Sequence, residues 1–216
     1  MIFDQLSPVQ KNVLIASIIG DGEITKRYTR SRRKNHSYRE HYGRGQEAYR
    51  QWKASFFPDL LYLTPKSQTL RSRSHPLFTE LYPYFYDEQG QKRIPLSLLP
   101  VCTSPHFLAV LYMDDGSLCI TRSINHREKK IYLAPHIYLY LQNYPLEQLN
   151  HLQQHIEKQF GFSFLPYRRR DGHGYILRFT ATRDTYAFLQ FIEPVTRTCP
   201  SMLYKTNWPW RLAVES

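Results

Sequence analysis

Two stretches of the sequence end an apolar helix candidate with an aspartate and a glycine. Asp21 closes the run that begins at Leu14, and Asp115 closes the run that begins at Leu108. Acidic side chains are unfavourable at a helix C-terminus, because the unpaired carbonyls there carry partial negative charge. A bound divalent cation would remove that repulsion, since carboxylate and carbonyl oxygens are its preferred ligands. For either stretch alone, a simple Asp-Gly turn is the commoner explanation.

The elements that carry these aspartates are copies of one pattern. Each begins at Ser-Pro, with Ser7 or Ser104 as the predicted N-cap and proline at the first helical position. Each run is apolar on nearly every face, so its helix must be enclosed by protein. We expect two paired helices that meet through the small residues Ala16, Gly20 and Ala109. Their acidic ends would then lie side by side and form one site for a divalent metal.

The repetition extends along the chain and predicts the fold class. Further helices are expected at 45–57 and 145–160, alternating strands at 23–42 and 130–142, and strand-turn-helix segments that start at Leu70 and Leu177. Each half therefore has the order helix, hairpin, helix, hairpin, helix. We predict an α+β protein of two similar αββαββα halves, 1–98 and 99–216, which join near residues 96–103.

The overall charge narrows the class of partner. The 216 residues include 29 Lys+Arg and 18 Asp+Glu, which give a net charge of +11. This excess favours a polyanionic partner, with nucleic acid ahead of an acidic membrane. Aromatic residues make up 15% of the chain, which excludes a disordered basic tail.

Compartment and membrane association can also be predicted. Three widely spaced cysteines, at positions 102, 119 and 199, argue against a disulfide framework and a zinc ribbon and fit a reducing compartment. The longest apolar runs are far short of the roughly 20 residues that span a bilayer. The amino end resembles neither a signal peptide nor a presequence. We expect an intracellular protein, in a bacterial cytoplasm or inside an organelle.

Four segments together resemble the LAGLIDADG homing endonucleases, in particular their single-chain, two-motif, intron-encoded branch. Residues 14–22 (LIASIIGDG) and 108–116 (LAVLYMDDG) resemble the motif that names the family, and the first copy departs from it at Ser17 and Ile19. Residues 92–100 (KRIPLSLLP) resemble its Lys-x-Ile-Pro segment, and 199–205 (CPSMLYK) its closing Pro-x-Met-x-Tyr-Lys segment. Four short motifs in the right order make the resemblance specific.

The resemblance implies both a fold and an activity. The fold would be a saddle of two antiparallel sheets on DNA, with the two motif helices packed at its centre. The activity would be cleavage of both strands of a long DNA site, leaving 3′ overhangs and supporting intron homing. Mg²⁺ would be the metal, Mn²⁺ a substitute, and Ca²⁺ would support binding only. The protein would act as a monomer with internal pseudo-twofold symmetry.

The resemblance also assigns site residues. Asp21 and Asp115 would bind metal through their side chains, with the backbone carbonyls of Gly20 and Asp114 as additional ligands. Lys92 and Lys205, within the two further motifs, would offset transition-state charge and lower the pKa of the attacking water.

Basic and polar residues on the predicted strands form the candidate DNA-binding set. Because successive side chains of a strand point to opposite faces, part of the set would lie on one face of each sheet, where it could contact phosphates and base edges. The set comprises Arg27, Arg30, Arg32, Arg33, Lys34, Arg39, Arg44, Arg71, Arg73, Arg122, Arg127, Lys129, Tyr138, Tyr140, Gln142, Arg168, Arg169, Arg170 and Arg178. For any single member, an ordinary charged surface position is an equally good interpretation.

Two other functions fit the same fold. One is an intron RNA maturase, for which loss of an acidic residue or lysine would be a clue, and none is lost. The other is a DNA-binding regulator without catalysis, which would be expected to carry a separate helix-turn-helix.

Overall fold

The computed structural model describes residues 1–28, 30–179 and 181–215 and divides the chain into two compact units, Met1–Asp114 and Asp115–Ser216. The predicted α+β class is confirmed, because each half has the order helix, hairpin, helix, hairpin, helix and one four-stranded antiparallel sheet. The predicted boundary near residue 98 concerns the sequence repeat and stays a prediction.

The first unit contains one sheet, with the strand order β1-β2-β4-β3. Its pairing places Arg39 of β2 directly opposite Arg71 of β4, and Glu40 opposite Leu70. The elements are α1 (Pro8–Ile19), β1 (Glu23–Thr25), β2 (Ser37–His41), α2 (Glu47–Ser55), β3 (Leu61–Thr64), β4 (Thr69–Ser72) and α3 (Pro76–Phe85). A 3-10 helix, Leu96–Val101, leads from this repeat to the next.

The second repeat begins with α4 (Pro105–Asp115), whose last residue starts the second unit. Its sheet has the equivalent order β5-β6-β8-β7. The elements are β5 (Gly116–Asn125), β6 (Lys130–Leu139), α5 (Leu146–Phe160), β7 (Leu165–Arg168), β8 (Tyr175–Arg178), α6 (Thr182–Thr196) and α7 (Trp208–Glu215). The last helix, α7, was not predicted from the sequence.

The start of α1 follows the predicted capping pattern. Ser7 Oγ accepts a hydrogen bond from the Gln10 backbone N–H, and Gln10 Oε1 accepts one from the Ser7 N–H. This capping box satisfies two backbone donors that a helix otherwise leaves unpaired. At the start of α4, Ser104 Oγ accepts a hydrogen bond from the His106 N–H.

Both apolar helices are enclosed, as their composition predicts. The side chains of Val13 to Ile19 in α1 and of Phe107 to Met113 in α4 are buried. The helix α4 adjoins α1 at both ends within the first unit. Asn12 donates to the Val101 carbonyl and accepts from the Ser104 N–H near the starts, and Gly20 lies against Asp114 at the ends. The two helices are therefore parallel neighbours.

No helix among the described residues is long and apolar enough to cross a membrane.

Candidate metal and nucleic-acid site

Asp21 stands just beyond the C-terminus of α1, where Gly20 caps the helix. Its carboxylate is 35% exposed and accepts a hydrogen bond at Oδ2 from Arg50 Nη2, at 2.7 Å. No hydrogen bond from the described residues reaches its other oxygen, Oδ1. Asp21 therefore combines one fixed oxygen with one that a ligand can approach.

Lys92 is brought to the same helix end although 71 positions separate it from Asp21 in sequence. Its ammonium donates to the carbonyl oxygens of Gly20, at 2.8 Å, and of Gly22, at 2.9 Å. A cation at a helix C-terminus is favourable because it pairs with the unsatisfied carbonyls. The backbone oxygen of Gly20, predicted as a metal ligand, thus already accepts one hydrogen bond and retains its second lone pair.

A buried charged cluster lies behind Asp21, between β2, α2 and the end of α4. Lys53 Nζ donates to Glu40 Oε1 at 2.8 Å and to Asp114 Oδ1 at 2.7 Å, and Tyr49 Oη also donates to Asp114 Oδ1. The side chains of Glu40 and Asp114 have no exposed surface. Metal binding by the backbone carbonyl of Asp114 stays a prediction. The carboxylate of Asp114 accepts its hydrogen bonds from Lys53 and Tyr49.

Arg50 connects this cluster with Asp21. Its Nε lies 2.7 Å from Glu40 Oε1 while its Nη2 binds Asp21, and only 1% of its side chain is exposed. Burial alone would lower the pKa of Arg50, but the negative charges of Glu40, Asp114 and Asp21 raise it. The guanidinium is therefore a permanent positive charge between two carboxylates.

The tyrosines of the cluster are neutral hydrogen-bond donors. Burial, reinforced by the charge of Glu40, raises the pKa of Tyr38 well above 10.0, and Tyr38 Oη donates to Glu40 Oε2. Burial and the charge of Asp114 raise the pKa of Tyr49 likewise. Burial also raises the pKa of Glu40, and Lys53 acts against that rise.

Three carboxylates, those of Asp21, Glu40 and Asp114, place oxygens within 4.8 Å of one another. Such a trio could hold a metal ion by its chemistry. However, Arg50 and Lys53 already supply two positive charges within it. Asp21 is the member of the trio whose side chain reaches solvent, so it is the carboxylate that an incoming cation can bind.

The residues of the second unit that the motifs align with Asp21 and Lys92 are Asp115 and Lys205. Asp115 ends α4, and its carbonyl accepts a hydrogen bond from the Tyr140 N–H at 2.8 Å. Lys205 ends the 3-10 helix Pro200–Lys205, which packs against β5, the strand that follows Asp115. Both residues are half-buried.

The candidate DNA-binding residues are mostly exposed, but fewer lie on strands than predicted. Arg27, Arg30, Arg32, Arg33 and Lys34 belong to the loop between β1 and β2. The prediction that this basic run is part of a strand was wrong. Strand pairing would bring these positive charges close together, and like charges on paired strands repel each other. The strands β1 and β2 accordingly pair over three positions only.

The rest of the candidate set divides between strands and loops. The strand residues are Arg39, Arg71, Arg122, Tyr138, Arg168 and Arg178, and the loop residues are Arg44, Arg73, Arg127, Lys129, Tyr140, Gln142, Arg169 and Arg170. Several already have protein partners: Arg39 pairs with Glu23, Arg169 with Asp171, and Arg178 lies over the Tyr167 ring at 3.8 Å.

Sequence reasoning missed the buried cluster of Glu40, Tyr49, Arg50 and Lys53. One signal was present, because Glu40 falls on the inward face of β2 in alternation with the exposed Arg39 and His41. Nothing in the local sequence shows that its partners come from α2 and α4.

The fold consists of two repeats, each with an aspartate at the end of an enclosed helix. The model of the LAGLIDADG DNA endonuclease family matches residues 11–185, and the chain belongs to that family. The resemblance inferred from the motifs is thereby confirmed. No curated protein matches the sequence.

Three solved structures share the fold. The homing endonuclease I-WcaI, bound to its DNA recognition sequence, is 20% identical, with 93% of this chain and 87% of that chain covered and a TM-score of 0.70. I-AabMI bound to uncleaved DNA is 12% identical over 85% and 83% of the chains, with a TM-score of 0.56. I-SmaMI bound to uncleaveable DNA is 11% identical over 88% and 83%, with a TM-score of 0.55.

Proposed function

We propose that this protein is a site-specific DNA endonuclease that hydrolyses both strands of a long recognition site. The observation that carries the proposal is the end of α1, where the exposed carboxylate of Asp21 directly follows Gly20, whose carbonyl accepts a hydrogen bond from the Lys92 ammonium. A carboxylate and a cation at the same helix end suit an attack of water on a phosphodiester. The family to which the chain belongs supports the same substrate class.

The donor set at Asp21 fits a hard divalent ion. Carboxylate and backbone carbonyl oxygens are its usual ligands, and Asp21 and Gly20 offer one of each. Mg²⁺, or Mn²⁺ in its place, would stabilise the charge on the phosphate and on the leaving oxygen when bound. Asp115 would be the equivalent carboxylate of the second repeat, with Asp114 contributing its backbone carbonyl.

The lysines and the buried cluster would prepare the site for the reaction. Lys92 is held by two carbonyls, so its positive charge is positioned before DNA arrives. A preorganised cation of this kind offsets the negative charge that develops as water attacks phosphorus and the 3′ oxygen leaves. Lys205 would act in the same way in the second repeat.

The basic strands and loops would bind the DNA backbone. Arg39 and Arg71 lie directly opposite each other in neighbouring strands, and Glu23 pairs with Arg39. Like charges in opposite positions repel each other, so a phosphate near Arg71 would add a second counter-charge. The three similar structures are DNA complexes, which favours DNA as the partner of a single chain. No observation on the described residues favours the RNA maturase or the non-catalytic regulator.

Cleavage with 3′ overhangs, and homing of a host intron, complete the proposal. A target can be selected from random DNA duplexes by binding in Ca²⁺, which we expect to support binding without cleavage. The selected duplex is then incubated with Mg²⁺, and both strands are mapped at the cut. Blunt or 5′ overhanging ends would contradict this proposal.

The decisive variants are Asp21→Asn and Asp115→Asn. Each removes a metal-binding charge, so we expect cleavage to fall by about a thousandfold or more while binding in Ca²⁺ persists. Cleavage is measured on the selected duplex, and binding by fluorescence anisotropy. The matched controls are Asp59→Asn, at an exposed aspartate, and Asp184→Asn, at a half-buried one. Full cleavage by either Asp21→Asn or Asp115→Asn would refute the assignment.

A further inference from the structure

We propose that Arg50 is a positioning residue, which orients the Asp21 carboxylate for metal binding and is itself held by the buried carboxylate of Glu40. The proposal rests on the proposed function, because it concerns the same metal-binding aspartate. Arg50 comes from α2, an element to which none of the sequence motifs belongs. It extends the site from the helix end into the core of the first unit.

The geometry shows how Arg50 restrains Asp21. The guanidinium is planar, so a hydrogen bond from Nη2 to Asp21 Oδ2 at 2.7 Å defines the direction of that carboxylate. The same guanidinium forms an ion pair with Glu40, whose Oε1 is 2.7 Å from Nε. Arg50 is 1% exposed, so its side chain cannot swing out to solvent.

The remainder of the cluster fixes Glu40 in turn. Glu40 accepts hydrogen bonds from Lys53 and from Tyr38, and it has no exposed surface. Lys53 also donates to both oxygens of Asp114, at 2.7 and 2.8 Å. An unbroken series of charged contacts therefore runs from the end of α4 through β2 and α2 to Asp21.

This arrangement differs from a metal cage built by the three carboxylates. In a cage, Glu40 and Asp114 would point their oxygens at the ion, whereas both bind protein cations here. Charged partners behind a metal-binding residue set its orientation and commonly change metal affinity by about 10- to 100-fold. Arg50 would act on the metal only through Asp21.

The two interpretations predict opposite effects of Arg50→Met on the Mg²⁺ requirement. If Arg50 positions Asp21, its removal leaves the carboxylate poorly oriented, and the half-activating Mg²⁺ concentration rises by about tenfold or more. If the trio is a cage that Arg50 blocks, removal of its charge frees the carboxylates, and the Mg²⁺ requirement falls.

The experiment is a Mg²⁺ titration of cleavage for the full chain and for Arg50→Met, Arg50→Lys and Glu40→Gln. We expect the largest increase in Mg²⁺ requirement for Arg50→Met and a smaller increase for Arg50→Lys. At saturating Mg²⁺, both Arg50 variants should partly recover their cleavage activity. Glu40→Gln preserves shape, and since Glu40 is fully buried, any change in its Mg²⁺ requirement must pass through its neighbours. Arg197→Met, at an exposed arginine that pairs with Glu193, is the matched control.

DNA binding in Ca²⁺ and thermal unfolding are measured in parallel. The proposal predicts that Arg50→Lys and Glu40→Gln keep the wild-type affinity for DNA and a cooperative unfolding transition. An unchanged or lower Mg²⁺ requirement in Arg50→Met and in Glu40→Gln would overturn it. Activity in Asp21→Asn would instead refute the metal role of Asp21, so the two failures are distinguishable.

Discussion

Gly20 shows how one residue allows the acidic helix end to form. A Cβ atom at this position would lie 2.6 Å from Asp114 Oδ2 and 2.8 Å from Asp114 Cβ. The Cβ of Asp114 is close to the backbone of α4, and its carboxylate is held by Lys53 and Tyr49. Neither atom can move away cheaply, so only glycine allows the two helix ends to approach this closely.

We therefore predict that Gly20→Ala destabilises the protein. Overpacking of a well-filled site costs about 1 to 3 kcal/mol, and the strain falls on the contacts of Asp114. The free energy of unfolding, measured with urea, tests this expectation. Gly43→Ala is the control, because a Cβ at Gly43 meets no atom within 4 Å. Equal stability of Gly20→Ala and Gly43→Ala would contradict the close approach of α1 and α4.

Among the elements, α1 is stabilised at its start by a local motif and along its length by burial. The Ser7–Gln10 capping box supplies hydrogen bonds that the first turn lacks. The segment was predicted from the sequence because capping and apolar composition both act within a few residues. Its angle to neighbouring elements has no such local signature.

At this scale, we predict that Ser7→Ala lowers the free energy of unfolding by about 1 kcal/mol. The change removes the acceptor for the Gln10 N–H without altering the buried face of α1. Urea unfolding measures the effect. Ser97→Ala replaces another exposed serine and should change stability by less than about 0.5 kcal/mol. A loss of similar size in both variants would rule out a specific contribution from the cap.

The helices α2 and α5 show that the two repeats have the same order of elements but different kinds of buried side chain. Helix α2 buries Tyr49, Arg50 and Lys53, whereas α5 buries leucines and an isoleucine. Leu139 of β6 pairs with Leu177 just as Glu40 of β2 pairs with Leu70. The register therefore places a leucine at the second-repeat counterpart of Glu40. Among the described residues, the buried arginine, lysine and glutamate side chains all belong to the first unit.

For the whole molecule, the positive charge of +11 is the property that DNA binding would use. We predict that the logarithm of the affinity falls linearly with the logarithm of the salt concentration, by about 0.9 for each phosphate contacted. Fluorescence anisotropy in Ca²⁺, over a range of salt concentrations, measures this slope. An affinity that does not change with salt would exclude the proposed contacts with the backbone.

The loop between β1 and β2 allows a sharper form of the same test. The triple variant Arg32→Gln, Arg33→Gln and Lys34→Gln removes three exposed charges, so we expect the slope to decrease by up to about 2.7. The control is a second triple variant, which removes three exposed charges from α5, from α6 and from the residue after α6: Lys158→Gln, Arg183→Gln and Arg197→Gln. It should leave the slope nearly unchanged.

The sequence alone was sufficient for the repeated order of elements, the two buried helices and the aspartates at their ends. These features depend on interactions over short distances along the chain: helix caps, the period of apolar residues and the Asp-Gly termini. The family motifs added Lys92 and Lys205 as site residues, and the structure places Lys92 at the Gly20 carbonyl. The metal-binding roles of Asp21 and Asp115 and the catalytic roles of Lys92 and Lys205 stay predictions.

Only the tertiary structure decided what surrounds Asp21. Glu40, Arg50, Lys53 and Asp114 are spread over 75 positions, and nothing in their own segments shows that they meet. A buried charge is stable only beside partners that offset its lost hydration, and those partners are chosen by the packing of α2, β2 and α4. The same packing leaves the carboxylate of Asp21 exposed while it encloses its charged neighbours.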